Sequence, residues 1–188
     1  MLDITTLQAQ RETRPKIEDV IPLCVAEDQR KTALDFVAWL RENKMAPGWS
    51  GVHNAWDAKC RGSTICKISL RNEGWALTGN NDRAKNYTWI IRPYLDNRDN
   101  YAGTIIAEGL QHIIWDGLYA CTACLGGKKP CIGGSDYTVY GKEFKGVCGH
   151  SFYREIFDPD EAIIGCMKRL LEFEKQARDA ARAAEKQK

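Results

Sequence analysis

The chain has 188 residues, 44% hydrophobic and 28% charged, with a formal net charge of +2. That length holds one sizeable core, and the balance belongs to a single globular domain (1–188) rather than a disordered or fibrous chain. No apolar run approaches the ~20 residues of a membrane helix. The start, Met1 to Gln10, lacks a basic segment followed by an apolar one, so no signal peptide and a cytoplasmic location are expected. The charge excess sits in residues 174–188, where five Lys/Arg face three acids, and the rest balances to zero. Nucleic-acid binding, which wants a basic stripe on the folded body, is therefore a third-rank reading.

Residues 1–15 are polar, with Arg11, Arg14 and Pro15, and are expected as a loosely held arm. The pattern then predicts a short helix over 16–23 and a clearer one over 26–44, where Ala33, Phe36, Val37 and Leu40 recur at helical spacing. Pro47-Gly48 is the breaker pair that stops it. A β region follows. Trp56, Ala58 and Cys60 share one strand face, Arg61-Gly62-Ser63 turns the chain, and Cys66, Ile68 and Leu70 share the next. Strands over 75–78 and 87–92 complete an antiparallel meander, closed by Pro93. A helix over 102–118, with Ile106, Leu110, Ile113 and Ile114 toward the core, delivers the chain to Cys121. Residues 137–144 have β character. Asp158-Pro159-Asp160-Glu161 then supplies an N-cap, a proline at the first helical position and first-turn acids. Ile163, Met167, Leu170, Leu171 and Phe173 make that last helix amphipathic. Beyond Glu174 it carries alanines and charges, so its end is expected to be pendant or covered by a partner, a second copy included. The order is that of an α+β fold: a core over 16–118, a cysteine-rich loop over 119–150 and a long C-terminal helix over 158–188.

Four of the eight cysteines, Cys121, Cys124, Cys131 and Cys148, fall within 28 residues punctuated by glycine. In a reducing compartment clustered thiols favour metal over bridges. A C-x-x-C turn followed by two more thiols suits a tetrahedral ion, and zinc is the expected cofactor, with an iron–sulfur cluster as the lesser alternative. Glycines close behind Cys124, Cys131 and Cys148 let backbone N–H groups turn toward sulfur. His150 is the substitute ligand if one thiol is unused. Four protein ligands leave no open position, so such a site is structural. The alternative is a redox or catalytic role for Cys121 or Cys124, since a C-x-x-C can lower a thiol pKa. A set of reduced, partly buried thiols is the plainer reading of the same residues.

Cys24, Cys60, Cys66 and Cys166 lie in expected helices and strands and read as small buried hydrophobes. Six tryptophans (Trp39, Trp49, Trp56, Trp75, Trp89, Trp115) are read first as core packing. Their functional alternative is a pocket for a planar or aromatic ligand, walled by Trp49, Trp56 and Trp75 near strand ends. Glu108 and His112, four apart, read as a surface pair before an acid–base one. His53 has no evident partner, and Lys128, Lys129 and Lys142 balance the thiolate charge.

The run Trp49…Trp56-x3-Cys60-Arg-Gly-x2-Ile65-Cys66-x-Ile68, followed by Trp75-Ala-Leu, resembles small bacterial proteins of unknown function. In these a helix leads into an antiparallel sheet built on a Trp…Lys-Gly-x-x-Ile-Cys-x-Ile hairpin. Here Cys60 and Arg61 stand where that hairpin carries an aromatic residue and lysine. The half from Cys121-x2-Cys124 through Tyr140-Gly-Lys-Glu-Phe144-x2-Val147-Cys148 to Phe157-Asp-Pro-Asp is similar to a cysteine-containing tail in uncharacterised proteins of anaerobic Gram-positive bacteria. The resemblance spans residues 30–175 and implies a sheet coupled to a thiol site, with no activity attached. The expected role is a cytoplasmic zinc-binding domain that binds a small ligand or a protein.

Overall fold

Two glycine-closed turns organise the β structure of this chain. The computed structural model describes residues 3–71, 87–116, 118, 134–147 and 155–185. Arg61 (φ 55°) and Gly62 (φ 89°) are both left-handed. Paired positive φ values make the tight turn that matches the twist of its flanking strands, and this one joins β2 (Ala55–Cys60) to β3 (Ser63–Leu70). Trp56 lies opposite Ile68 and Ala58 opposite Cys66, so the expected apolar faces meet in register. Between Ala58 and Lys59 the register slips by one, which leaves Ile65 as the extra residue of a bulge, and it too is buried.

The sheet order is β1-β2-β3-β4-β7, antiparallel throughout. The short edge strand β1 (Pro47–Trp49) comes from the breaker pair itself, since a proline can open an edge strand without leaving a ladder bond unmade. β4 (Trp89–Pro93) pairs with β3 and ends at the expected proline. β7 (Ile156–Phe157) covers the other side of β4. The strand expected over 75–78 lies outside the described residues.

Helices α2 (Ile17–Cys24) and α3 (Glu27–Glu42) pack on each other, and Ala33, Phe36, Val37 and Leu40 are buried as their spacing predicts. The segment expected as a loose arm contains helix α1 (Leu7–Thr13), capped by the Thr6 hydroxyl, with Ala9 and Gln10 fully buried. Its anchor is polar. Gln10 Nε2 donates to the Ile4 carbonyl at 2.9 Å and to the Asn54 side chain, while the Asn54 N–H donates to Gln10 Oε1 at 2.8 Å.

The helix expected over 102–118 is two helices. A 3-10 turn (Arg98–Tyr101) leads into α4 (Ala102–Ala107), which stops at Gly109 with φ 69°. The Gly109 N–H donates to Ile106 O and the Leu110 N–H to Ile105 O, the paired bonds of a Schellman cap closed by a left-handed glycine. α5 (Gln111–Trp115) follows this cap. With the helix broken, Ile105 is the buried residue of α4, and Ile106, expected in the core, is 51% exposed. Leu110, Ile113 and Ile114 are buried as expected.

A second hairpin pairs β5 (Ser135–Val139) with β6 (Lys142–Val147), turned by Tyr140 and Gly141, both at positive φ. Finally α6 (Glu161–Glu185) lays Ile164, Met167, Leu170, Leu171 and Phe173 into the core. Its cap is Asp160, whose carboxylate accepts from the Ile163 N–H at 2.8 Å. The cap expected from the sequence, Asp158, instead ties down β4, accepting from Thr88 N–H, Thr88 Oγ1 and Trp89 N–H at 2.8–3.0 Å. Pro159 therefore precedes the cap rather than opening the helix. The result is an α+β fold with an antiparallel sheet and a long C-terminal helix.

Candidate functional site

The thiol segment 121–148 follows α5, which ends at Trp115, and Leu118, which is buried in the core. The β5–β6 hairpin lies within the segment, between Cys131 and Cys148. Trp115 Nε1 donates to Val139 O at 2.7 Å, which pins the closed end of the hairpin to α5. Lys142 Nζ rests over the rings of Trp115 and Phe144, 5.2 and 5.4 Å from their centroids. At the open end Ser135 pairs with Val147, and Val147 is buried. That pairing joins the chain four residues after Cys131 to the chain one residue before Cys148, within a single strand spacing.

Cys121, Cys124, Cys131, Cys148 and the substitute ligand His150 themselves lie outside the described residues, as do Trp75, Lys128 and Lys129. Among the described residues, no group of three His, Cys, Asp or Glu is placed to hold a metal ion.

The other four cysteines form no disulfide among the described residues. Cys60 and Cys66 are buried in the hairpin; Cys24 and Cys166 are half-buried in helices. Burial pushes the thiol pKa of Cys24, Cys60 and Cys66 up, most of all for Cys66, so these three stay protonated at neutral pH. A protonated thiol is neither a good nucleophile nor a ready metal ligand.

Of the three tryptophans expected along a pocket wall, Trp75 lies outside the described residues, and Trp49 and Trp56 sit in different surroundings. Trp56 is 0% exposed in the core, with Nε1 donating to Pro15 O at 3.0 Å. Trp49 is half-buried at the sheet edge and donates to Gln10 Oε1 at 3.3 Å. Trp89 is also fully buried, beside Phe36. Trp39 stacks on Phe36 at 6.1 Å and carries Lys168 Nζ over its outer face. These described tryptophans thus pack at contacts within the fold.

Glu108 and His112 take separate partners. Glu108 forms a two-pronged ion pair with Arg169 on α6, at 2.7 and 2.9 Å, and His112 Nδ1 lies 2.7 Å from the Gly109 carbonyl. His53, which has no partner evident in the sequence, places Nε2 2.6 Å from the Thr5 carbonyl.

A polar centre emerges instead at Glu174. Its carboxylate is fully buried and accepts from Asn97 N–H, Asn97 Nδ2, Tyr101 OH and Arg178 Nε, all at 2.8–3.0 Å. Arg178 extends the network to Thr64 O, Tyr94 O and Asp96 Oδ2, each at 3.1 Å. Burial, followed by the neighbouring Glu174 carboxylate, raises the Tyr101 phenol well above its ordinary value. It therefore serves only as a donor. The signal was present in the sequence: Glu174 falls four residues after Leu170, on the apolar stripe of its own helix. Four donors engage this carboxylate within the fold, so the centre holds structure together.

Comparison with protein-family models, with curated proteins and with solved structures found no match.

Proposed function

We propose that residues 119–150 close around one structural zinc ion held by Cys121, Cys124, Cys131 and Cys148, and that the chain is a zinc-stabilised binding domain. The observation that carries the reading is the Ser135–Val147 pairing. A C-x-x-C turn supplies two ligands by sequence alone, but the remaining two, with sixteen residues between them, must be brought together by that intervening chain. The hairpin does that for their flanks. The protonated state of Cys24, Cys60 and Cys66 is consistent with metal chemistry confined to the other cluster. Four thiolates fill the coordination sphere, so the ion orders a loop rich in glycine and poor in apolar residues, and the role of the domain is binding rather than metal catalysis.

Peptide-resolved alkylation of the native protein tests this reading. All four clustered thiols should stay unmodified until a chelator strips the metal, and then react together. Fast, selective labelling of Cys121 or Cys124 in untreated protein would overturn it in favour of a redox thiol pair.

A further inference from the structure

On the side of the β2–β3 turn an open cleft of about 580 Å³ is lined by Lys44, Cys60, Arg61, Gly62, Lys175 and Arg182. A smaller recess of about 270 Å³ shares Arg61 and Arg182 and adds Asp179 and Ala183. Three elements distant in sequence supply the cations. Lys44 sits at the left-handed residue (φ 61°) closing α3, where its N–H donates to Arg41 O and the Met45 N–H donates to Leu40 O, another Schellman cap. Arg61 stands at the tip of the hairpin turn, and Lys175 and Arg182 lie two turns apart on α6. Asp179 is the acid among the lining residues and binds Arg61 at 2.5 Å and Lys175 at 3.2 Å. Four cations against one carboxylate leave an excess of three positive charges, and neither Lys44 nor Arg182 has an ion-pair partner among the described residues.

Such an arrangement gathers like charges around one cleft with Asp179 compensating them in part, and a multiply charged anion relieves the remainder. We infer that this cleft binds a small molecule through a polyphosphate group. The volume is that of a small-molecule site. Arginine and lysine are the side chains that grip phosphate oxygens, by forked and point-charge contacts respectively. Among the described residues no aromatic ring lines the cleft to stack a nucleobase, and the described lining favours recognition of the phosphates. The site is separate from the thiol segment in sequence and does not depend on its metal.

Calorimetric titration of the full chain with inorganic tripolyphosphate at low salt tests the proposal, with single-stranded oligonucleotide as the competing probe. One tripolyphosphate should bind per chain, and Arg182→Ala and Lys44→Asn should each weaken it about tenfold. Asparagine tolerates the left-handed backbone at 44, and Arg182 is exposed, so both variants should melt like the parent. ATP should bind no more tightly than tripolyphosphate. Absence of binding, affinity unchanged in both variants, or tighter binding of the oligonucleotide than of tripolyphosphate would overturn the assignment.

Discussion

A buried carboxylate is costly unless each oxygen is engaged, and Glu174 meets that condition with four donors. Removing it takes from Arg178, whose side chain is 9% exposed, its buried ion-pair partner and leaves it the more exposed Asp96. Glu174→Leu is expected to lower the unfolding free energy by about 3 kcal/mol in denaturant titration, despite the added apolar surface. The Gln10–Asn54 clasp is smaller: Gln10→Ala leaves the buried Asn54 N–H unmatched and should cost about 2 kcal/mol. A pH effect belongs at Glu18, where the bond to Arg41 holds the carboxyl below its ordinary value. Because the folded form has the lower pKa, the stabilisation is complete above the unfolded pKa and lost as pH falls through the folded one. The pair is about a third exposed, so screening limits it to about 0.5 kcal/mol. Glu18→Gln should be less stable than the parent by that amount at neutral pH, and the gap should close in the acid range.

Element by element, strong periodicity and turn chemistry translated directly into structure. The α3 stripe, the Trp56–Cys60 and Cys66–Leu70 faces and the α6 stripe are buried because amphipathic spacing and one left-handed turn fix them locally. The break at Gly109 was illegible for a physical reason. A glycine inside a helix costs only about 1 kcal/mol, so the sequence does not distinguish a tolerated residue from a Schellman terminus. Burial of α1 was missed because its anchor, Gln10, is polar and reads as surface. The cap at 160 rather than 158 turned on a contact of Asp158 to a strand seventy residues away. The thiol cluster was legible as a motif, while the hairpin register that joins its flanks was not. These contrasts give two tests by thermal melting. Gly109→Ala forces a side chain into the left-handed region, where nothing else obstructs it, and should cost about 1 kcal/mol. Deleting residues 180–188 should change stability by less than about 0.5 kcal/mol, since 180–185 are exposed; α6 is docked as far as Asp179, further than its alanine-rich sequence suggests.

Across the whole molecule, the sheet and helices share one continuous core that runs from Ile17 to Phe173. Among the described residues no helix is long and apolar enough to cross a membrane. Net charge is nearly balanced, yet the fold gathers Lys44, Arg61, Lys175 and Arg182 around one cleft, which average composition conceals. The thiol segment leaves this core after Leu118 and returns through Val147, both buried, so its ends are held while its own sequence supplies few apolar residues. On the function proposed above, a metal ion supplies the ordering that hydrophobic burial does not. Elemental analysis of the purified wild type beside Cys148→Ser tests this most directly. The account predicts about one zinc per chain in the wild type, with zinc and thermal stability lost together in the variant. A metal-free wild type that is folded and as stable as the zinc-treated protein would contradict it.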